Sequence, residues 1–498
     1  MTRRLPALLV LALILSGCDR NTQDERIDVS VIGPPARLRD PAIGIERLPD
    51  IALTGAVSQG LVSLDAAGQV VPGIAQRWAI SDDGLYYTFR IADEIIDADR
   101  VAAQLRRQFR RLDETDPSAI SDAVREVVAV TPEVIEIRLS APRPDLLALL
   151  AGPDFALTKK SGGTGPLLMV GKPGRMVILR PAEATAGPER DGEEADAPDP
   201  RRIHLRGERA ALAVARYADG GATLVTGGTF VDIMLPAIAK ISPRDLQFDP
   251  ANGLFGFRVG RASPPMMAAE IRQALSMSLD RDAIGTALGI AGWRPSLDIL
   301  PPGLTDVAQP SRPFWAQAFA DVRGADQRAL AARAASARQI VANWQKRAGA
   351  TGPLRLSVDL PAGPGARIVF AELARQWRAI GVEMVRAGPG QPADLRLIDE
   401  VAPVDQADWY LAHFRCARGR PCSEEADTAL DEARRATDPA ARARFVAEAE
   451  QRLTALGPFI PLAQPVRWSL AAQGLNGFQT NSRAVHPLAP LMGNQRRR

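Results

Sequence analysis

Histidine and cysteine are scarce, with three of each in 498 residues. His204, His413 and His486 leave little material for acid–base or metal chemistry. No G-x-S-x-G, H-E-x-x-H or S-x-x-K constellation sets a nucleophile beside an orienting base, which argues against an enzyme and against a resident cofactor. Lysine is also rare, the basic residues being overwhelmingly arginine, a trait we ascribe to nucleotide composition and not to function. An excess of either charge is missing too. The formal net charge is +3, and its even spread excludes a dedicated nucleic-acid surface, which needs clustered cations. Arg496, Arg497 and Arg498 form only a short solvated run. Gly165 to Lys172 fails as a phosphate loop: it has one intervening residue too many, and Pro173 stands where Ser or Thr is required.

What is present fits a soluble globular chain, with 46% hydrophobic and 24% charged residues. The length exceeds one core, so two or three packing units are expected. Arg3 and Arg4 precede an apolar run, Leu5 to Leu15, long enough for a signal-peptide core and too short to span a bilayer permanently. Leu15-Ser16-Gly17-Cys18 follows and reads as a lipobox, with cleavage before Cys18 and lipid on its thiol. A plain secretory signal with a coincidental cysteine is the alternative. Asp19 leans the anchor toward the inner membrane, and Asp19 to Glu25 reads as a tether. Cys416 and Cys422 flank five residues and, in an oxidising compartment, read as a disulfide. The rival is a metal pair of His413 with Cys416, for which no further ligands cluster nearby.

Alternation and period give the elements. Gly60 to Asp65, Leu85 to Ile91 and Val134 to Leu139 read as strands, with Ser81-Asp82-Asp83-Gly84 a tight turn. Asp99 to Leu112 is helical by period, with Val101, Leu105 and Phe109 on one face. Ala182 to Arg202 has no period and reads as a solvated insertion. Helices are predicted over Met267 to Leu288, Ala325 to Arg347 and Ile368 to Ile380, the last closed by Gly381. A further helix opens at Asp438-Pro439, with Phe445, Ala449 and Leu453 on its inner face. Short strands alternating with helices indicate α/β lobes.

Several blocks, in this order, resemble the extracytoplasmic solute-binding proteins of the dipeptide/oligopeptide ABC-transporter class (family 5). They are Gly60-Leu61-Val62 through Trp78, Ser81 to Phe89, Gly163-Thr164-Gly165-Pro166, Ile271-Arg272-Gln273-Ala274-Leu275 through Ile284, Gly381-Val382, Ile460-Pro461-Leu462 and Gly477-Phe478. Most of these residues also have a plain packing account, Arg272 being either core or the partner of a carboxylate. The likeness implies a two-lobed periplasmic-binding-protein fold (class II, cluster C-like) with mixed β-sheets flanked by helices and an extra N-terminal subdomain. The expected division is a signal peptide (1–17), a lipidated tether and start of lobe 1 (18–48), lobe 1 (49–250) with the subdomain at about 61–160, lobe 2 (251–457), and a return to lobe 1 with a tail (458–498). It implies capture of a peptide or similar small solute, delivery to an inner-membrane ABC permease, a monomer, and a periplasmic location held by the lipid. The ligand region departs from the family pattern. Ala92 to Asp97 lacks the usual Phe/His/Asp/Gly loop, and Asp394 to Asp405 lacks the Trp and Asp-rich stretch that holds a peptide amine. Asp405, and after it Asp399, are the substitute amine anchors, or else surface loop residues. Trp409 and Tyr410 form either an aromatic wall or core. The rival classes are a diverged sensor or scaffold and, further off, an exported hydrolase.

Overall fold

The computed structural model describes residues 26–91, 96–115, 120–159, 162–171, 174–182, 201–307, 309–317, 327–388 and 390–493. The export segment with Cys18, most of the insertion at 182–202, most of the loop at 92–97 and the terminal arginines lie outside the described residues. The Arg26–Ile32 strand carries five consecutive buried residues. Such a run suits the middle of a sheet covered on both faces. It pairs in parallel with Arg202–Glu208 on one side and Leu224–Thr229 on the other. Leu167–Val170, Met176–Pro181, Arg467–Ala471 and Leu246–Phe248 extend this sheet to seven strands by antiparallel pairing.

The subdomain is an antiparallel sheet of Ala75–Ile80, Tyr86–Ile91, Val134–Leu139 and Val124–Thr131. Alternation sends Tyr87, Phe89 and Ile91 inward, onto Val101, Leu105 and Phe109 of the Ala98–Thr115 helix, and this core is separate from the others. The Ser81–Gly84 turn forms as expected: the Ser81 hydroxyl accepts from Leu85 and Tyr86 N–H, and Gly84 takes φ 68°. The chain leaves the subdomain through Gly163 to Pro166. Here the Thr164 hydroxyl donates to the Leu157 carbonyl at 2.7 Å, and a side chain on Gly165 would meet the Val57 backbone at 2.5 Å. Gly165 then leads into the Leu167–Val170 strand and not into a helix, while Lys172 lies outside the described residues.

The second lobe is built on a five-stranded sheet in the order Val382–Arg386, Leu354–Asp359, Leu395–Val401, Gly253–Val259, Phe459–Ala463. Phe459–Ala463 belongs to this sheet, so the chain returns to the first sheet only at Arg467, one strand later than a boundary at 458 implies. The single helix expected over Met267 to Leu288 is three: Pro264–Met267, Ala269–Met277 and Arg281–Leu288. The break has a local cause. Asp280 leaves the helical region and its carboxylate accepts from Ala283 N–H at 3.0 Å, which starts a new helix. Among the described residues Arg272 has no carboxylate partner. Its guanidinium donates to the carbonyls of Met266, Leu456 and Gly457, capping the end of the Pro439–Leu456 helix. Arg281 likewise serves the carbonyls of Ser276 and Pro461.

Candidate functional site

Among the described residues the chain crosses between the two large sheets twice. One crossing is Asp249 to Asn252, the other Gln464 to Val466. Side chains tie the two crossings together. Gln464 accepts from Gly253 N–H at 3.1 Å, and Arg294 donates to the Ala251 carbonyl. Asp249 accepts from Asn481 N–H at 3.0 Å and lies 3.2 Å from His486 Nε2. An apolar cluster continues through this region, joining Val225, Phe230 and Trp468 on the first lobe to Phe255, Phe257 and Leu275 on the second. Paired short crossings beside a shared apolar seam are the anatomy of a hinge.

Both acidic residues singled out in the sequence lie near these crossings, and both are already paired. Asp399 faces Arg467 across the lobes, Oδ1 to Nη1 2.7 Å, and its carbonyl accepts a second bond from the same guanidinium. Burial pushes the Asp399 carboxyl up, while Arg467 pulls it back. Asp405 is held by both terminal nitrogens of Arg483, at 3.2 and 2.6 Å. Arg483 is only 12% exposed. A ligand amine at either carboxylate has to compete with a fixed arginine. Trp409 and Tyr410 do not form a cleft wall. They are 6% and 0% exposed, packed edge to face on the side of the five-stranded sheet away from the shared seam, because every residue of the Ala407–Ala412 helix except Asp408 is buried there.

The His413–Cys416 metal alternative is not formed. His413 Nδ1 lies 2.7 Å from the Trp409 carbonyl and Nε2 3.1 Å from Glu400, so both ring nitrogens face oxygen acceptors. The His413 hydrogen bond holds the Glu400 carboxyl below its usual range. Cys416 is joined to Cys422 with a Cα–Cα distance of 4.9 Å. Among the described residues no group of three or more His, Cys, Asp or Glu has the arrangement of a metal site.

Two features escaped the sequence reading. Gly365 N–H donates to the Val231 carbonyl at 2.9 Å, and a side chain at Gly365 would meet the Phe230 carbonyl at 1.8 Å. Pro361-Ala362-Gly363-Pro364-Gly365 was the available signal: closely spaced glycines mark places where backbones approach. Beside that contact sits Asp232, whose carboxyl burial pushes up and which has no cationic partner among the described residues. The second feature is a recess between the subdomain and the second lobe, about 380 Å³ including its open mouth. Arg143 and Asp145 line one side, and Asp306, Asp408, Arg434 and Arg442 the other. Arg442 crosses the seam to the Pro142 carbonyl at 2.7 Å.

Known proteins share this architecture. The probable di/tripeptide-binding protein 5 of Pseudomonas aeruginosa is 22% identical over 491 residues, spanning 84% of this chain and 87% of that protein. Among solved structures, the Escherichia coli murein tripeptide binding protein MppA superposes with TM-score 0.71 at 19% identity, over 93% of this chain and 97% of MppA. Haemophilus influenzae OppA in complex with the peptide RPPGFSPFR gives TM-score 0.73 at 17% identity, over 94% and 98% of the two chains. These likenesses establish the two-lobed periplasmic-binding-protein fold. Residues 69–388 match the model described as bacterial extracellular solute-binding proteins, family 5 Middle, and the chain belongs to that family.

Proposed function

We propose that this protein is the solute-capturing subunit of an ABC importer, that its solute is a short peptide, and that Cys18 carries the lipid that keeps it at the membrane. The double crossing bracketed by Arg467–Asp399 is the observation that carries the reading. It lets two rigid sheets swing about a short, cross-braced axis, and a solute that touches both lobes favours the closed form by its difference in affinity for the two states. The names of the relatives supply the peptide class. The protein works as a monomer in the periplasmic space, with an inner-membrane permease as its partner, and it releases its cargo unaltered. Lipid attachment raises the local concentration at the permease.

With Asp399 and Asp405 occupied by arginines, the peptide amine is held elsewhere, and Asp232 is the unpaired carboxylate beside the lobe contact. The test is a thermal-shift screen of the purified protein against di- to pentapeptides, free amino acids, sugars and metal chelates. A solute bound only by the native state raises the melting temperature by mass action. Stabilisation by peptides, recovered intact by mass spectrometry, is the expected result. Stabilisation by sugars or chelates alone contradicts the peptide class, and turnover of any solute contradicts a pure binding role.

A further inference from the structure

The recess between the subdomain and the second lobe contains a guanidinium with nothing to hold. Arg143 lies in the segment that links the Val134–Leu139 strand to the Leu146–Leu150 helix. Its backbone is fixed by Tyr87, whose hydroxyl donates to the Arg143 carbonyl at 2.7 Å. The residue is 8% exposed, its Nε is buried without a partner, and no carboxylate lies within ion-pair distance of it among the described residues. A guanidinium offers five donors. Burying one unpaired is costly, and burial accordingly lowers the Arg143 pKa despite Asp408 and Asp145 nearby.

The other charged groups around the recess are spent, with two exceptions. Asp408 is clasped by Arg434 at 3.0 to 3.1 Å, and Asp306 accepts from Ala407 N–H at 3.1 Å. Arg442 uses one terminal nitrogen on the Pro142 and Ala436 carbonyls, but its Nε is buried and unpartnered. Asp145 makes no side-chain capping bond. Three arginines and three aspartates line the recess, and among them the buried donors left without a partner are Nε of Arg143 and Nε of Arg442, in a concave space that both lobes must build.

We infer that this recess is an anion subsite in which Arg143, assisted by Arg442, receives a carboxylate of the captured solute as the subdomain and second lobe come together. The recess suits one end of a solute and not the whole of it. The inference rests on the solute-capture reading but not on the solute being a peptide.

The experiment titrates three probes calorimetrically into the full chain: trialanine, its C-terminal amide, and malonate. Each probe is run on wild type, Arg143→Gln and Arg143→Lys. The expected result is that amidation weakens binding to wild type by about tenfold or more. Arg143→Gln is expected to weaken the free acid by the same factor while leaving the amide unchanged, with Arg143→Lys in between. Equal affinity for acid and amide, or discrimination that survives in Arg143→Gln, overturns the subsite and leaves peptide capture standing. If no peptide binds while malonate binds in an Arg143-dependent way, the subsite stands and the peptide class falls. Absence of Arg143-dependent binding by every carboxylate probe overturns the subsite. Because the acid–amide comparison is made on the ligand, equal affinity on wild type overturns the subsite even if a variant folds poorly, and Arg143→Lys, which keeps the charge, supplies the second variant.

Discussion

Single side chains divide the labour of this molecule between holding and receiving. Arg467 and Asp399, with side chains 15% and 18% exposed, form a largely buried pair across the lobes. Removing one partner of such a pair strands the other, at a cost of about 3 kcal/mol. Arg467→Met is therefore expected to lower stability by that order at pH 7.5 in urea unfolding. The deficit should shrink toward pH 5, because the stranded carboxyl, its pKa already raised, takes up a proton in the native state. Asp145 follows the same sign. Its native pKa of about 6 lies above the ordinary carboxyl value, so the native state holds the proton more tightly than the unfolded chain does. The resulting penalty is full above about pH 6 and fades as pH falls toward about 4. Asp145→Asn is expected to gain on the order of 1 kcal/mol at pH 7.5 and nothing near pH 4, measured by thermal unfolding across pH. A gain independent of pH would contradict this. None of these partnerships was legible in the chain. Asp399 and Asp405 were read as amine anchors or surface loop residues, but their arginines lie 68 and 78 residues away, and a long-range ion pair leaves no local pattern.

Secondary-structure elements were more legible, because period and capping are local. The alternation of Tyr86 to Ile91 and Val134 to Leu139, and the four-residue spacing of Val101, Leu105 and Phe109, all appear as read. Asp438 caps the Pro439–Leu456 helix by accepting from Ala440 and Ala441 N–H. Asp438→Ala is expected to cost about 1 kcal/mol in chemical unfolding. The buried face of that helix is Val446, Ala449, Glu450 and Leu453, with Phe445 only half-buried, since the stripe drifts around a 3.6-residue turn. The break at Asp280 was missed because the apolar period runs straight through it, and only the capping bond reveals the restart. The Cys416–Cys422 bond closes a short loop ahead of the Glu424–Arg435 helix. Thiol alkylation of the denatured, unreduced protein is expected to leave both cysteines unlabelled. Labelling at either position would contradict the bond.

At the scale of the whole molecule, the order and spacing of the blocks carried the two-lobed fold. The seams between the lobes stayed hidden, because they are assembled from segments far apart in sequence. The Gly363–Gly365 approach to Phe230 and Val231, and the recess shared by Arg143 and Arg442, exist only once the lobes are placed. The proposed capture joins these features through motion about two crossings, with the Arg467–Asp399 pair at the axis and the Arg143 recess at a seam that both lobes build. Small-angle scattering of the protein alone, and then saturated with the peptide that stabilises it most, reads that motion directly. Capture between closing lobes calls for a smaller radius of gyration and a shorter maximum dimension on binding. Superposable curves with peptide bound would contradict a hinged clamp.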